Sequence, residues 1–121
     1  MFLYAQRGAE HCELSPGEAL VVVHVPVRVT EEGPMPDANL RYRIGAFRGR
    51  ETKLLVLPGQ SEATLTFRIP QERFQPPEPL TLEAYAKSKE GKERTLWTAR
   101  YEVGWQETAL RSKPLLVLSK D

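Results

Sequence analysis

The stretch Ala19-Leu20-Val21-Val22-Val23-His24-Val25-Pro26-Val27-Arg28-Val29-Thr30 decides how the rest of this chain is read. Its apolar residues repeat every second position, the period of a strand with one buried face, and not every third or fourth as in a helix. Val21, Val23, Val25, Val27 and Val29 fall on one side; Leu20, Val22, His24, Arg28 and Thr30 fall on the other. Pro26 has no amide hydrogen to give to a neighbouring strand, so this strand is expected at a sheet edge or with a bulge at that point.

The same period recurs downstream. Leu40, Tyr42, Ile44 and Ala46 oppose Arg41, Arg43 and Phe47, and Arg48-Gly49-Arg50 reads as a turn. Thr52 to Leu57 reads as a strand closed by Pro58-Gly59. In the next strand Ala63, Leu65, Phe67 and Ile69 are expected inward, with Thr64, Thr66 and Arg68 outward. A proline-rich connection, Gln71 to Pro79, leads into the clearest hairpin, Leu80 to Ser88 with Arg94 to Val103. Glu31 to Asp37 is a loop by its breakers. Gln106 to Arg111 has room for one or two helical turns, and Leu115 to Leu118 is a last apolar run. About seven to eight short strands with turn signals between them predict an all-β protein, a single antiparallel β-sandwich of immunoglobulin-like type. The domain spans residues 1–121, with 106–121 as a C-terminal extension.

Composition narrows the classes. The chain has 121 residues, 17 Lys+Arg against 16 Asp+Glu, and a net charge of +1. That length supports one self-sufficient core, and the balance excludes a globally basic nucleic-acid arm or an acidic tail. A single cysteine, Cys12, excludes an internal disulfide framework and a multi-cysteine zinc motif. No apolar run reaches membrane-spanning length, and Met1 to Arg7 is too soon interrupted for a signal-peptide core. The expectation is a cytoplasmic protein with a reduced thiol and no membrane contact. Asn39 is the lone asparagine while Glu, Arg, Leu and Pro abound, a bias expected of a thermophilic source.

Two stretches resemble a known group. Ser15-Pro16-Gly17-Glu18-Ala19-Leu20-Val21-Val22-Val23 resembles an early strand of bacterial immunoglobulin-like domains of the CARDB and fibronectin-III-like kind. Leu57-Pro58-Gly59-Gln60-Ser61-Glu62-Ala63-Thr64-Leu65-Thr66-Phe67 resembles their proline-glycine turn and the Thr/Phe-rich strand after it. The resemblance covers roughly residues 13 to 103, and the chain continues beyond it through Trp105 to Leu118. It implies a binding, adhesion or spacer module with no shared catalytic residues.

Catalytic chemistry finds little to work with. Only His11 and His24 supply imidazole, only Asp37 and Asp121 are aspartates, and no Gly-x-Ser-x-Gly elbow exists. Cys12 and His11 are sequential neighbours, whose side chains point apart in an extended segment. Glu10-His11-Cys12-Glu13 holds metal-ligand types without metal-ligand spacing, and His24 joins them only if the two segments pair. Glu72, Glu78 and Glu83 have no partner at a defined spacing, and phosphate-loop and dinucleotide motifs are missing. The expectation is no enzyme, no cofactor, no metal and no catalytic residue.

Charge is distributed unevenly. Residues 1–40 hold two basic against six acidic side chains, residues 41–53 five against one, and residues 87–100 five against two. In an immunoglobulin-like strand order the two basic segments lie side by side, so Arg41, Arg43, Arg48, Arg50, Tyr85, Lys87 and Arg100 are the expected binding face. On that face Arg43, Glu83 and Arg100 are candidates for cross-strand ion pairs. Trp97 and Tyr101 share the parity of Ala99 and Val103 and are expected in the core. The leading expectation is a protein-interaction or structural module. The alternative is a nucleic-acid or polyanion binder through the basic face, with Lys89 and Lys92 added. Phe2 to Ala5 and Leu115 to Leu118, both short and β-prone, are expected to pair with each other or to join a second copy in a homodimer.

Overall fold

The computed structural model describes residues 2–15, 17–30, 37–57, 59–107 and 112–118. Ten strands are assigned among them: β1 (Phe2–Ala5), β2 (His11–Ser15), β3 (Leu20–Thr30), β4 (Ala38–Ile44), β5 (Phe47–Arg48), β6 (Thr52–Leu54), β7 (Glu62–Pro70), β8 (Pro79–Lys87), β9 (Glu93–Glu107) and β10 (Ser112–Leu118). They form two antiparallel sheets, an all-β sandwich, with one 3₁₀ turn at Gln71–Arg73. No helix long and apolar enough to cross a membrane is present among the described residues.

In the first sheet β3 is central. β7 runs along one side of it, from Leu20 opposite Pro70 to Arg28 opposite Glu62. β1 and β2 lie end to end along the other side, pairing with Val27–Thr30 and Leu20–His24 respectively. The valine face is the core: Val21, Val23, Val25 and Val27 are wholly buried, and Val29 nearly so.

Pro26 corrects the edge-or-bulge expectation. Its register to β7 is unbroken, and β3 has neighbours on both sides. The carbonyl of Pro26 accepts a hydrogen bond from the Gln6 amide, so its nitrogen faces the β1/β2 side too. That is the gap where β1 ends and β2 has not begun, and no ladder bond is lost there.

The second sheet runs β10-β9-β8-β4, with β5 and β6 sharing the far side of β4. Leu40, Tyr42, Ile44, Leu80, Leu82, Tyr101 and Val103 face the valines. One extra residue on β9 shifts the β8 register between Ala84 and Tyr85, with Ala84 opposite Trp97 and Tyr85 opposite Thr95. Leu96 is the bulged residue and is buried; Trp97 and Ala99 are half-buried against the core.

The turn expected at Arg48-Gly49-Arg50 falls earlier. Ile44 pairs with Phe47, leaving Gly45-Ala46 as a two-residue loop, so Ala46 leaves the strand. Gly45 has φ +57°, the first central position of a hairpin turn that calls for glycine. Gly49 then passes under the Tyr42 ring, where any Cβ would collide with it, and donates its amide to the Tyr42 carbonyl at 2.9 Å. The strand expected over Thr52 to Leu57 pairs only as far as Leu54.

The expected pairing of the termini is also corrected, because β1 belongs to the first sheet and β10 to the second. Of the segment expected as helical turns, Gln106 and Glu107 end β9, while 108–111 lie outside the described residues. The stretch 106–121 supplies the end of β9 and all of β10 where it is described. The loop expected at Glu31 to Asp37 is described only at Asp37.

Phe74, just after the 3₁₀ turn, plugs one end of the sandwich. It is fully buried, edge-on to Trp105 with ring centroids 5.8 Å apart, and its carbonyl accepts the Trp105 Nε1 hydrogen at 2.7 Å. Phe74→Ala is expected to cost about 3–5 kcal/mol by opening a cavity there. Urea unfolding, followed by the fluorescence of Trp97 and Trp105, measures it.

Candidate functional site

Alternation along β4, β8 and β9 places one set of polar side chains on the outer face of the second sheet. The registers arrange them in rows across the strands. Arg48 lies opposite Arg43, Arg43 opposite Thr81, and Thr81 opposite Arg100. One row along, Arg41 lies opposite Glu83 and Glu83 opposite Thr98. A depression of about 350 Å³ opens over these rows, lined by Arg41, Tyr42, Arg43, Arg48, Glu51, Thr81 and Glu83.

The arginines in it are not equivalent. Arg41 is ion-paired with Glu83, and its Nη1 donates to both oxygens of Glu93 at 3.1 and 3.3 Å. Its guanidinium lies 4.1 Å from the centroid of Tyr85, a cation–π contact. Burial by itself would lower the pKa of Arg41, but Glu83 and Glu93 outweigh it and raise the value. Glu83 Oε1 is shut off from solvent and makes no hydrogen bond of regular geometry among the described residues, so its compensation is the ion pair with Arg41. Arg43 and Arg48, by contrast, are exposed and make no ion pair or hydrogen bond among the described residues.

Several expectations are thereby revised. Glu83 pairs with Arg41 and not with Arg43 or Arg100. Tyr85 sits on the outward parity but is only 3% exposed, covered by Arg41. Burial first, and the Glu51 carboxylate second, raise its pKa. It braces Arg41 and offers no open ring to a ligand. Lys87 lies beyond Tyr85, opposite Glu93, and Arg50 lies between β5 and β6; neither lines the depression. Sequence reading missed Thr81 and Glu51 in the lining, because both depend on register and loop path.

The histidines occupy the other sheet. β2 and β3 do pair, setting His11 directly opposite His24, with ring centroids 4.9 Å apart and stacked. Glu13 reaches His24 Nε2 at 3.4 Å, and Thr66 lies 3.4 Å from its Nδ1. Cys12 points away from both, toward β10, where its thiol donates to the Pro114 carbonyl at 3.3 Å. Among the described residues no group of three or more His, Cys, Asp or Glu is placed to hold a metal ion. Burial pushes the Cys12 thiol up to about 11, and the Tyr101 phenol, buried mainly by its core position, to about 12.

No family model matches the chain, and no curated protein matches it in sequence.

Arg41→Ala is expected to destabilise by about 1–2 kcal/mol, since it strands a buried carboxylate oxygen while Arg41 itself keeps some solvent contact. Arg48→Glu is expected to stabilise by roughly 0.2–1 kcal/mol, because it replaces a directly opposed like-charge pair with an attractive one. Chemical denaturation of the two variants separates a structural arginine from one held at a cost.

Cys12 and Tyr101 both have raised folded-state values, so their contribution to stability is complete below their ordinary values of 9.0 and 10.0. It is lost as pH rises toward about 11 and then about 12. The urea midpoint is expected to fall over that window, with Cys12→Ala removing the earlier part of the fall. Iodoacetamide should alkylate the native thiol at pH 7.5 far more slowly than the unfolded one.

Proposed function

We propose that this protein is a non-enzymatic protein-interaction module whose binding surface is the outer face of the second sheet. One observation carries the reading: Arg43 and Arg48 stand opposed in a depression, with no partner among the described residues, while the neighbouring Arg41 is fully committed to Glu83, Glu93 and Tyr85. Opposed like charges destabilise a sheet, and a binding role explains why two arginines are held there. Arg100 extends the same row across β9.

The chemistry elsewhere supports a binder over a catalyst. Cys12 has its thiol proton held firmly and turned away from His11, the reverse of an activated thiolate. The immunoglobulin-like resemblance points the same way. Against a polyanion ligand stand Glu51, Glu83 and Glu93, interleaved with the arginines, which a run of phosphates would have to pass.

Selection from a random peptide display library tests this, counter-selected on the Arg43→Glu/Arg48→Glu double variant, beside a twenty-nucleotide DNA duplex titrated from about 50 to 300 mM salt. Peptides that bind the native protein and lose at least about tenfold on the double variant are the expected result. Peptides that bind both proteins alike, or no selected peptides at all, overturn it. DNA binding that survives near 150 mM salt and falls steeply above it installs the polyanion reading instead.

A further inference from the structure

The charge around the depression specifies what kind of group fills it. Three guanidinium groups, those of Arg41, Arg43 and Arg48, line it with the carboxylates of Glu51 and Glu83, and Glu93 reaches Arg41 from beyond the lining. Arg41 is held by two carboxylates, Glu83 and Glu93. Glu51 lines the same depression. The uncompensated charge belongs to Arg43 and Arg48, whose strands hold them directly opposite one another. Thr81, the next residue along the row, has a hydroxyl with no partner among the described residues.

We infer that Arg43 and Arg48 form a fork that takes the side-chain carboxylate of a glutamate or aspartate in the partner protein, with the Thr81 hydroxyl as a further donor; this rests on the interaction-module reading above. A planar carboxylate accepts paired N–H donors from guanidinium groups, and hydrogen bonds of this charge-assisted kind are the stronger ones. One negative charge between them relieves the repulsion of the two opposed arginines. A phosphate monoester carries about −1.5 to −2 at neutral pH. It would bring that larger charge against Glu51, Glu83 and Glu93. A volume of about 350 Å³ admits an acidic side chain together with part of the backbone that bears it. Arg41 has a positioning role. Tied down by Glu83, Glu93 and Tyr85, it keeps Glu83 from reaching over to Arg43 and quenching the fork from within.

Arginine Nε–H resonances of the ¹⁵N-labelled full chain report on this directly. The probes are acetyl-Ala-Glu-Ala-amide, the same peptide with Gln for Glu, and the same peptide with phosphoserine for Glu. The glutamate peptide is expected to shift the Arg43 and Arg48 signals saturably while the Arg41 signal stays put. The glutamine peptide is expected to bind at least about tenfold more weakly, the loss of a charge-assisted hydrogen bond. Phosphoserine is expected to bind more weakly than glutamate. Arg43→Gln and Arg48→Gln are each expected to weaken the glutamate peptide several-fold with native amide dispersion retained, and Arg41→Gln is expected to weaken it while lowering stability.

Equal binding of the glutamine peptide, tighter binding of phosphoserine, or shifts that fail to saturate would overturn the carboxylate fork. If that happens while display peptides still depend on Arg43 and Arg48, only the fork is wrong and the binding face stands. If the display selection fails as well, both readings fall.

Discussion

Val21, Val23, Val25 and Val27 are wholly excluded from water, and the other elements are placed by the need to keep them so. A strand buried on one face and paired along both edges demands a second sheet over that face and a neighbour for every amide. β7 satisfies one edge without a break. The other edge is divided between β1 and β2, and the single residue that cannot donate, Pro26, stands at the division. The proline thus sets where two short strands meet, and the connection between them leaves the sheet at the point where no bond is forfeited.

From that constraint follows the surface that matters. The second sheet covers the valines with Leu40, Tyr42, Ile44, Leu80 and Leu82, so the alternate residues of the same strands must face outward. On β4 those are Asn39, Arg41 and Arg43, and on β8 they are Thr81, Glu83 and Tyr85. The arginine rows are the obligate reverse side of the core. The tight Gly45-Ala46 turn folds β5 back on β4 and brings Arg48 beside Arg43. A looser turn would leave Arg48 elsewhere and the depression without its second cation.

The face contains a division of labour that composition conceals. Of the three arginines in the depression, one is spent on structure: Arg41 clamps Tyr85 and is ion-paired with the buried oxygen of Glu83. The other two stay exposed with their charges unmet among the described residues. Natural sheets usually place opposite charges across from each other, so an opposed pair of arginines is a local conflict of the sort that binding sites retain.

Period-2 patterning by itself determined the fold class, the buried valine face, the inward residues of β7, the alternation of Leu40, Tyr42 and Ile44 and the outward parity of Arg41 and Arg43. It could do so because alternation is a local property of an extended chain. It also exposed the basic segments, since charge can be counted along a sequence. Only the tertiary structure decided that Pro26 is interior, that β1 and β10 lie in different sheets, and that Tyr85 is covered. It alone decided that Glu83 belongs to Arg41, and that His11 stacks on His24. Each of those depends on register and on which strands become neighbours. A shift of one residue moves every side chain to the opposite face, and local pattern carries no information about the partner across the sheet.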